Sequence, residues 1–169
     1  MTRTARTSRA LIVALVLAAV VGCDRATKSL AASKLGDGER RSYLADTVRL
    51  QYVENRGAFL GLGRDLPESA RFWLLLVGTG VLLLAAAFTS LRSPRHTALE
   101  ALAWALLLGG GLSNLADRAL REGAVVDFLN VGLGPVRTGI FNVADMAITA
   151  GAILLLAGAW LHSRREPRG

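Results

Sequence analysis

Apolar residues form four long blocks along the chain, without the spacing of a soluble helix or strand that keeps one polar face. The block from Phe72 to Leu91 contains twenty residues without a charge, enough to span roughly 30 Å of hydrocarbon. The other three blocks are shorter and reach membrane length only with polar ends at the headgroup level. The pattern predicts an all-α membrane protein, a four-transmembrane-helix bundle in a single domain, with spans near residues 8–26, 72–91, 98–116 and 143–162.

Composition excludes a disordered chain and argues against an ordinary soluble domain. Of the 169 residues, 52% are hydrophobic and 20% are charged, and the mean hydropathy is +0.40. The net charge of +7 alone would suit a nucleic-acid partner or a membrane. No basic stripe interleaved with aromatic residues is present, so we expect no nucleic-acid binding.

The positions of the basic residues predict the orientation of the helices. Segments 1–9, 92–97 and 162–169 carry eight of the twenty basic residues and one acid, whereas basic and acidic residues nearly balance in the other loops. The positive-inside rule then places both termini and the loop containing Arg92 and Arg95 in the cytoplasm. Loops 27–71 and 117–142 are predicted to be extracytoplasmic.

The N-terminus permits a different interpretation. Arginines precede the apolar run from Leu11 to Val20, which ends at Cys23 in the manner of a secretory signal with a lipobox. A small lipoprotein, or a non-catalytic membrane protein, is therefore the alternative to an enzyme. Removing this segment would leave an odd number of spans, so we expect a retained first span in which Cys23 is a small buried hydrophobic residue.

The first outer loop contains a strand signal. Val48, Leu50 and Tyr52 alternate with polar residues, and glycines 57, 61 and 63 follow. This predicts a small antiparallel sheet outside the membrane. Residues 66–72 are expected to form a short interfacial helix before the second span.

Acidic and amide residues cluster at the predicted outer ends of the spans, where desolvation makes a charge costly and a function common. They are Asp24, Asn114, Asp117, Asp127, Asn142 and Asp145, accompanied by Lys28 and Arg118. Several have structural explanations. Asp24 can form an ion pair with Lys28, and Asp117 can form an interfacial clamp with Arg118. Asn142 can cap the N-terminus of the fourth helix, and the negative charge of Asp145 can interact favourably with that helix N-terminus. Asp127 lies in an apolar, strand-like stretch and requires a partner.

The residue types limit the chemistry that this cluster can perform. Both histidines, His96 and His162, fall on the predicted cytoplasmic side, which excludes a Ser-His-Asp triad and a zinc site among the acids. A Ser/Lys pair built on Lys28 has no supporting motif. Two carboxylates that share one proton could hydrolyse a peptide without a metal or cofactor. Spacing alone does not choose the pair among the four aspartates.

Five motifs in order resemble those of the lipoprotein signal peptidases (signal peptidase II), the membrane aspartic proteases of bacteria. They are Asp24-Arg25-Ala26-Thr27-Lys28, Asn55-Arg56-Gly57-Ala58-Phe59, Asn114-Leu115-Ala116-Asp117-Arg118, Val125-Val126-Asp127-Phe128 and Phe141-Asn142-Val143-Ala144-Asp145. The resemblance covers the chain from Asp24 to Asp145 and implies a sheet that forms a cradle.

This resemblance implies roles for individual residues. Asp127 and Asp145 would be the catalytic pair. Asn114, Arg118 and Asn142 would position the substrate and support the pair. Asn55 and Gly57 would belong to the loop that closes over the substrate, and Asp24 and Lys28 would be structural supports. The substrate would be a prolipoprotein with a diacylglyceryl-modified Cys, cut on the amino side of that residue by a monomer in the inner membrane, with the active site near the outer leaflet.

Three departures accompany the resemblance. Many family members have one more Ala in the second motif, Gln where this chain has Arg25, and Gly where it has Ser113. None of these positions belongs to the implied catalytic pair.

Overall fold

The computed structural model describes residues 3–36, 38–58, 63, 65–92 and 97–164. Four helices in this part of the chain are long and apolar enough to cross a membrane, which confirms the predicted bundle. They are α1 (Arg3–Leu35), α2 (Glu68–Arg92), α3 (Ala98–Leu120) and α4 (Val143–Ser163). Phe59, Gly61, Arg95, His96 and the side chains of residues 3–9 lie outside the described residues.

Helix α3 is the central element and contacts the other three helices. Its glycines 109–111 point in different directions, since consecutive helical residues are about 100° apart. A Cβ on Gly109 would lie 3.1 Å from Val20 of α1, and one on Gly110 would lie 2.4 Å from the Ala144 carbonyl oxygen of α4. A Cβ on Gly111 would lie 2.5 Å from Leu83 of α2. The glycine run therefore allows three neighbours to approach one helix closely.

Outside the four membrane-length helices, the described residues form a four-stranded antiparallel sheet in the order β1-β2-β3-β4, as the strand pattern predicted. Its strands are β1 (Arg40–Tyr43), β2 (Val48–Asn55), β3 (Val125–Leu133) and β4 (Val136–Arg137). Strand β2 pairs with β3 so that Asn55 is opposite Val125 and Val53 is opposite Asp127. This register joins the two loops that were predicted to be extracytoplasmic and places Asn55 diagonally across from Asp127, on the same face.

Helix α1 continues to Leu35, beyond the predicted end of the span at residue 26. Its charged residues do not terminate it, because Asp24 and Lys28 pair with each other inside the bundle. The prediction for Cys23 is wrong, since this side chain is exposed on the surface of the helix. Cys23 precedes the fully buried Asp24, so the two neighbours point to different sides of α1.

The predicted interfacial helix at residues 66–72 is also not a separate element. Pro67 is the N-cap, and the helix beginning at Glu68 passes without a break through a π-helical stretch, Phe72–Gly78, into the second span. Proline suits this position because its missing N–H would have no partner inside the helix.

The close approach of α4 to α3 gives a direct test of the packing. A Cβ on Gly151 would lie 2.6 Å from the backbone oxygen of Ala103, so Gly151→Ala should separate the helices and destabilise the protein by about 1–3 kcal/mol. Gly158→Ala on the same helix is the control, because its nearest contact would be at 4.0 Å. Unfolding of the purified proteins in detergent measures the difference. Equal stability of both variants would contradict this packing.

Candidate functional site

Lys28 lies at the centre of a buried polar cluster between α1 and α3. Its Nζ is 2.7 Å from Asp24 Oδ2 and 2.9 Å from Asp117 Oδ2, and it donates a 2.8 Å hydrogen bond to Asn114 Oδ1. The exposed fractions of Asp24, Lys28 and Asp117 are only 0%, 2% and 1%. Three charges at such depth are tolerable because each has an opposite charge within hydrogen-bond distance.

Asp24 connects three helices through its two oxygens. Ser113 Oγ of α3 donates to Oδ2 at 2.7 Å, and the Ala144 backbone N–H of α4 donates to Oδ1 at 2.8 Å. The first of these contacts gives a structural role to Ser113, which is one of the departures from the family pattern. The interfacial ion pair expected between Asp24 and Lys28 is present, but it is buried within the bundle.

Asp117 has a different partner from the one expected. Arg25 Nη1 of α1 lies 2.6 Å from Asp117 Oδ1, and the Val126 backbone N–H approaches Oδ2 at 3.4 Å. The clamp between Asp117 and Arg118 is therefore replaced by pairs with Arg25 and Lys28. Arg121 Nε also lies 3.8 Å from Asp117 Oδ1, so Arg25, the second departure from the family pattern, is one of three cations that pair with the carboxylates of this cluster among the described residues.

Asn114 connects this cluster to Asp145 through hydrogen bonds at both ends of its side-chain amide. Lys28 donates to its Oδ1, so its Nδ2 is directed away and donates to Asp145 Oδ1 at 2.8 Å. If the Asn114 amide were flipped, its oxygen would face the Asp145 carboxylate oxygen and its NH2 group would face the Lys28 ammonium, and both contacts would be repulsive. The charge on Lys28 thus fixes which end of Asn114 faces the aspartate.

Asn142 joins Asp127 of β3 and Asp145 of α4. Its Oδ1 accepts the backbone N–H of Asp145 at 2.9 Å, and the Asp145 side chain accepts the backbone N–H of Asn142 at 3.2 Å. This is a capping box, as the expected capping role of Asn142 requires. The same side chain donates from Nδ2 to Asp127 Oδ1 at 2.7 Å, so capping and contact with both acids occur together.

Asn55 completes the set of amides around Asp127. Its Nδ2 donates to Asp127 Oδ2 at 3.0 Å, while its Oδ1 accepts the backbone N–H of Gly57 at 2.9 Å. Arg118 donates from Nη2 to the Gly57 carbonyl oxygen at 3.2 Å. The loop after β2 is therefore tied to both Asp127 and the end of α3.

The proton affinity of Asp127 is raised by its surroundings. Burial raises the pKa of Asp127 to about 6, the neighbouring charge of Asp145 acts in the same direction, and the hydrogen bonds from Asn55 and Asn142 oppose the rise. The carboxyl group therefore titrates much closer to neutral pH than an exposed aspartate does.

Both aspartates line a cavity of about 440 Å³. Asn55, Asn114 and Arg118 also line it, as does the segment from Thr138 to Phe141. Much of the remaining wall is a stripe along α4 formed by Met146, Thr149, Ala150 and Ile153. Sequence reasoning did not identify this stripe, although Asp145, Thr149 and Ile153 recur every four residues as one helix face requires.

The fold and this site define a multi-pass membrane protein in which two aspartates, held by asparagine amides, share one cavity. Comparison with known proteins gives the family. The family profile described as signal peptidase (SPase) II matches residues 16–161, most of the chain. The chain belongs to the signal peptidase II family.

Individual relatives agree with this assignment. The lipoprotein signal peptidase of Leifsonia xyli is 39% identical in an alignment covering 94% of this chain and 76% of that protein. The one from Syntrophomonas wolfei is 38% identical over 88% of this chain and 93% of its own length. A solved structure described as a bacterial membrane enzyme superposes with a TM-score of 0.78 at 26% identity, covering 94% of this chain and 93% of the other.

The buried cluster predicts that Lys28 is essential for stability. Lys28→Met keeps the length of the side chain but leaves Asp24 and Asp117 short of a cation, so we expect destabilisation by about 3–5 kcal/mol. Lys34→Met, at an exposed position on the same helix, should change stability by less than about 1 kcal/mol. Thermal unfolding in detergent compares them, and a Lys28→Met protein as stable as Lys34→Met would contradict the proposed cluster.

Proposed function

We propose that this protein is an aspartic endopeptidase that removes signal peptides from prolipoproteins in the bacterial membrane, with Asp127 and Asp145 as its catalytic pair. Membership of the signal peptidase II family supports the protease activity. The observation that carries the catalytic assignment is that both carboxyl groups line one cavity, where Asn142 contacts both of them.

The substrate follows from the relatives, which are named lipoprotein signal peptidases. The signal helix of a prolipoprotein would lie along the apolar stripe of α4 next to the aspartates, with Ile153 and Met146 as contacts. A diacylglyceryl group on the lipobox Cys would keep its acyl chains in the lipid. Cleavage on the amino side of that Cys then places the scissile carbonyl beside the two carboxyl groups.

The chemistry needs one proton shared by the two aspartates. Like charges in close proximity cannot both ionise readily, so one carboxylate takes a proton from water while the other carboxyl group donates to the scissile carbonyl oxygen. The resulting tetrahedral diol collapses as the C–N bond breaks, and the amino group of the lipid-modified Cys takes up a proton. The raised pKa of Asp127 supports retention of the shared proton.

The asparagines position these groups for the reaction. Asn114 and Asn142 hold Asp145, and Asn142 and Asn55 hold Asp127, so each carboxyl group is fixed through both oxygens. Fixed carboxylates do not need to reorganise when the transition state forms. Arg118 and the Gly57 loop would contact the backbone of the substrate from the side opposite α4.

The site would lie near the outer leaflet, with both termini in the cytoplasm and the enzyme acting as a monomer. The distribution of basic residues supports this orientation. The continuous helix past Cys23 supports a retained first span, because cleavage there would separate Asp24 and Lys28 from Val20 and the rest of the membrane-spanning part of α1.

Replacing either aspartate should abolish the reaction without unfolding the protein. Asp127→Asn and Asp145→Asn remove the proton exchange while keeping the volume, so cleavage of a diacylated prolipoprotein should fall at least about a thousandfold. Gel-shift assays on purified protein measure cleavage, and membrane accumulation checks folding. Asp65→Asn, at an exposed position, is the control and should keep full activity. Wild-type turnover in either site variant would refute the pair.

The pH profile should respond to Asn55. Its hydrogen bond favours ionised Asp127, so Asn55→Ala should raise the pKa of Asp127. The shared proton is then retained to higher pH, and the alkaline limb of kcat should move up by about 0.5 to 1 pH unit. Asn130→Ala is the control, because Asn130 donates to the Thr138 carbonyl oxygen instead. A downward shift, or no shift, would contradict this role.

Reporter fusions test the orientation. A reporter that works only in the cytoplasm should be active when it is joined after Gly169, since the basic residues of the C-terminal segment favour that side. A reporter inserted in the β3–β4 turn at Gly134 should report the opposite side. The reverse pattern would overturn the topology.

A further inference from the structure

A second cavity, of about 260 Å³, lies between the beginning of α2 and the end of α3. Arg118 lines both this cavity and the one that contains the aspartates. The proposed peptidase mechanism leaves the second cavity unused, and its lining differs in kind, since it contains neither aspartate.

Three arginines from three separate segments converge on this cavity. Arg56 follows β2, Arg71 ends the first turn of α2, and Arg118 lies near the end of α3. Arg118 Nη2 donates to the Gly57 carbonyl oxygen, and its Nε is buried without a hydrogen-bond partner among the described residues. Guanidinium groups are the preferred protein partners of phosphate, because their fork matches two phosphate oxygens at once.

One side of the cavity is apolar and belongs to the membrane-length helix α2. Phe72, Leu75 and Leu76 line the cavity directly after Arg71. The neighbouring Trp73 is 64% exposed at the end of the span, where tryptophan commonly marks the membrane interface. Arginines beside an apolar helix face near the end of a span suit a phosphate group that carries acyl chains better than they suit free phosphate.

Two glutamates at the same cavity do not cancel this preference. Glu122 is 86% exposed at its side chain and lies 3.6 Å from Arg56, an exposed pair that exchanges easily. Glu68 is the second, so three cations and two anions line the cavity among the residues that the structure describes. The carboxylates suit a headgroup that also carries a hydroxyl or amine donor.

We propose that this cavity binds the phosphate headgroup of a membrane glycerophospholipid, with one acyl chain lying on Phe72, Leu75 and Leu76. The site is independent of the proposed catalytic pair, and lipid binding is measurable without turnover. Failure of one proposal is therefore distinguishable from failure of the other.

Native mass spectrometry of the purified full-length protein in detergent tests the proposal with three probes. They are dioleoylphosphatidylglycerol, dioleoylglycerol (the same chains without phosphate) and glycerol 3-phosphate (the phosphate without chains). We expect only the first to bind, and Arg56→Ala/Arg71→Ala should weaken its binding at least about tenfold. Arg40→Ala, at an exposed position on β1, is the matched control and should bind as the wild type does.

A second variant guards against loss of the fold in the double mutant. Ala119→Trp keeps every charge but fills the cavity, since Ala119 is part of its wall, and it should also weaken phospholipid binding. Equal binding of dioleoylglycerol would overturn the phosphate assignment. Equal binding of glycerol 3-phosphate would overturn the lipid assignment. Unchanged phospholipid binding in the double variant and in Ala119→Trp would overturn the location.

Discussion

The arrangement depends first on the buried ammonium group of Lys28. It contacts two carboxylates and the Asn114 amide oxygen at 2.7 to 2.9 Å, in a part of the protein where solvent cannot replace any of these partners. An unpaired charge at this depth would be far more costly than a surface charge. The ammonium therefore holds α1 against α3, and Asp24 extends the connection to α4 through the Ala144 backbone N–H. Helices that lack a hydrophobic driving force in lipid gain a specific register in this way.

The same contact determines the geometry of the site, because an asparagine has two different ends. Lys28 takes the oxygen of Asn114 and leaves its NH2 group for Asp145. Asn142 also uses its two ends differently: its oxygen caps α4, and its NH2 group donates to Asp127. Hydrogen bonds through the neutral amides of Asn114 and Asn142 thus connect the buried cluster to the two aspartates. The side chains that hydrogen-bond to the two carboxyl groups are therefore neutral amides, whereas Arg118, which lines the same cavity, donates to the Gly57 carbonyl oxygen.

Much of this organisation could be predicted from local patterns. The uncharged blocks gave the four helices, and the alternation around Leu50 gave the sheet, because each signal is carried by neighbouring residues. The position of Asp145 in the first turn of α4 was equally local. The partners of Asp117 were not, since Arg25 is 92 residues away and only the packing of α1 on α3 brings them together. The exposure of Cys23 likewise depends on how α1 is rotated in the bundle, and the apolar run from Leu11 to Val20 before Cys23 does not specify that rotation.

The central claim is that Asp127 and Asp145 act as one catalytic unit. Single-turnover cleavage of a diacylglyceryl-modified prolipoprotein by Asp127→Asn, Asp145→Asn and the double variant, each at saturating enzyme, tests it most directly. Residues that act together lose nearly everything when either is removed, so the double variant should be no slower than the slower single variant. A double variant whose rate falls by the product of the two single losses would show that the aspartates contribute independently, and would contradict the shared-proton mechanism.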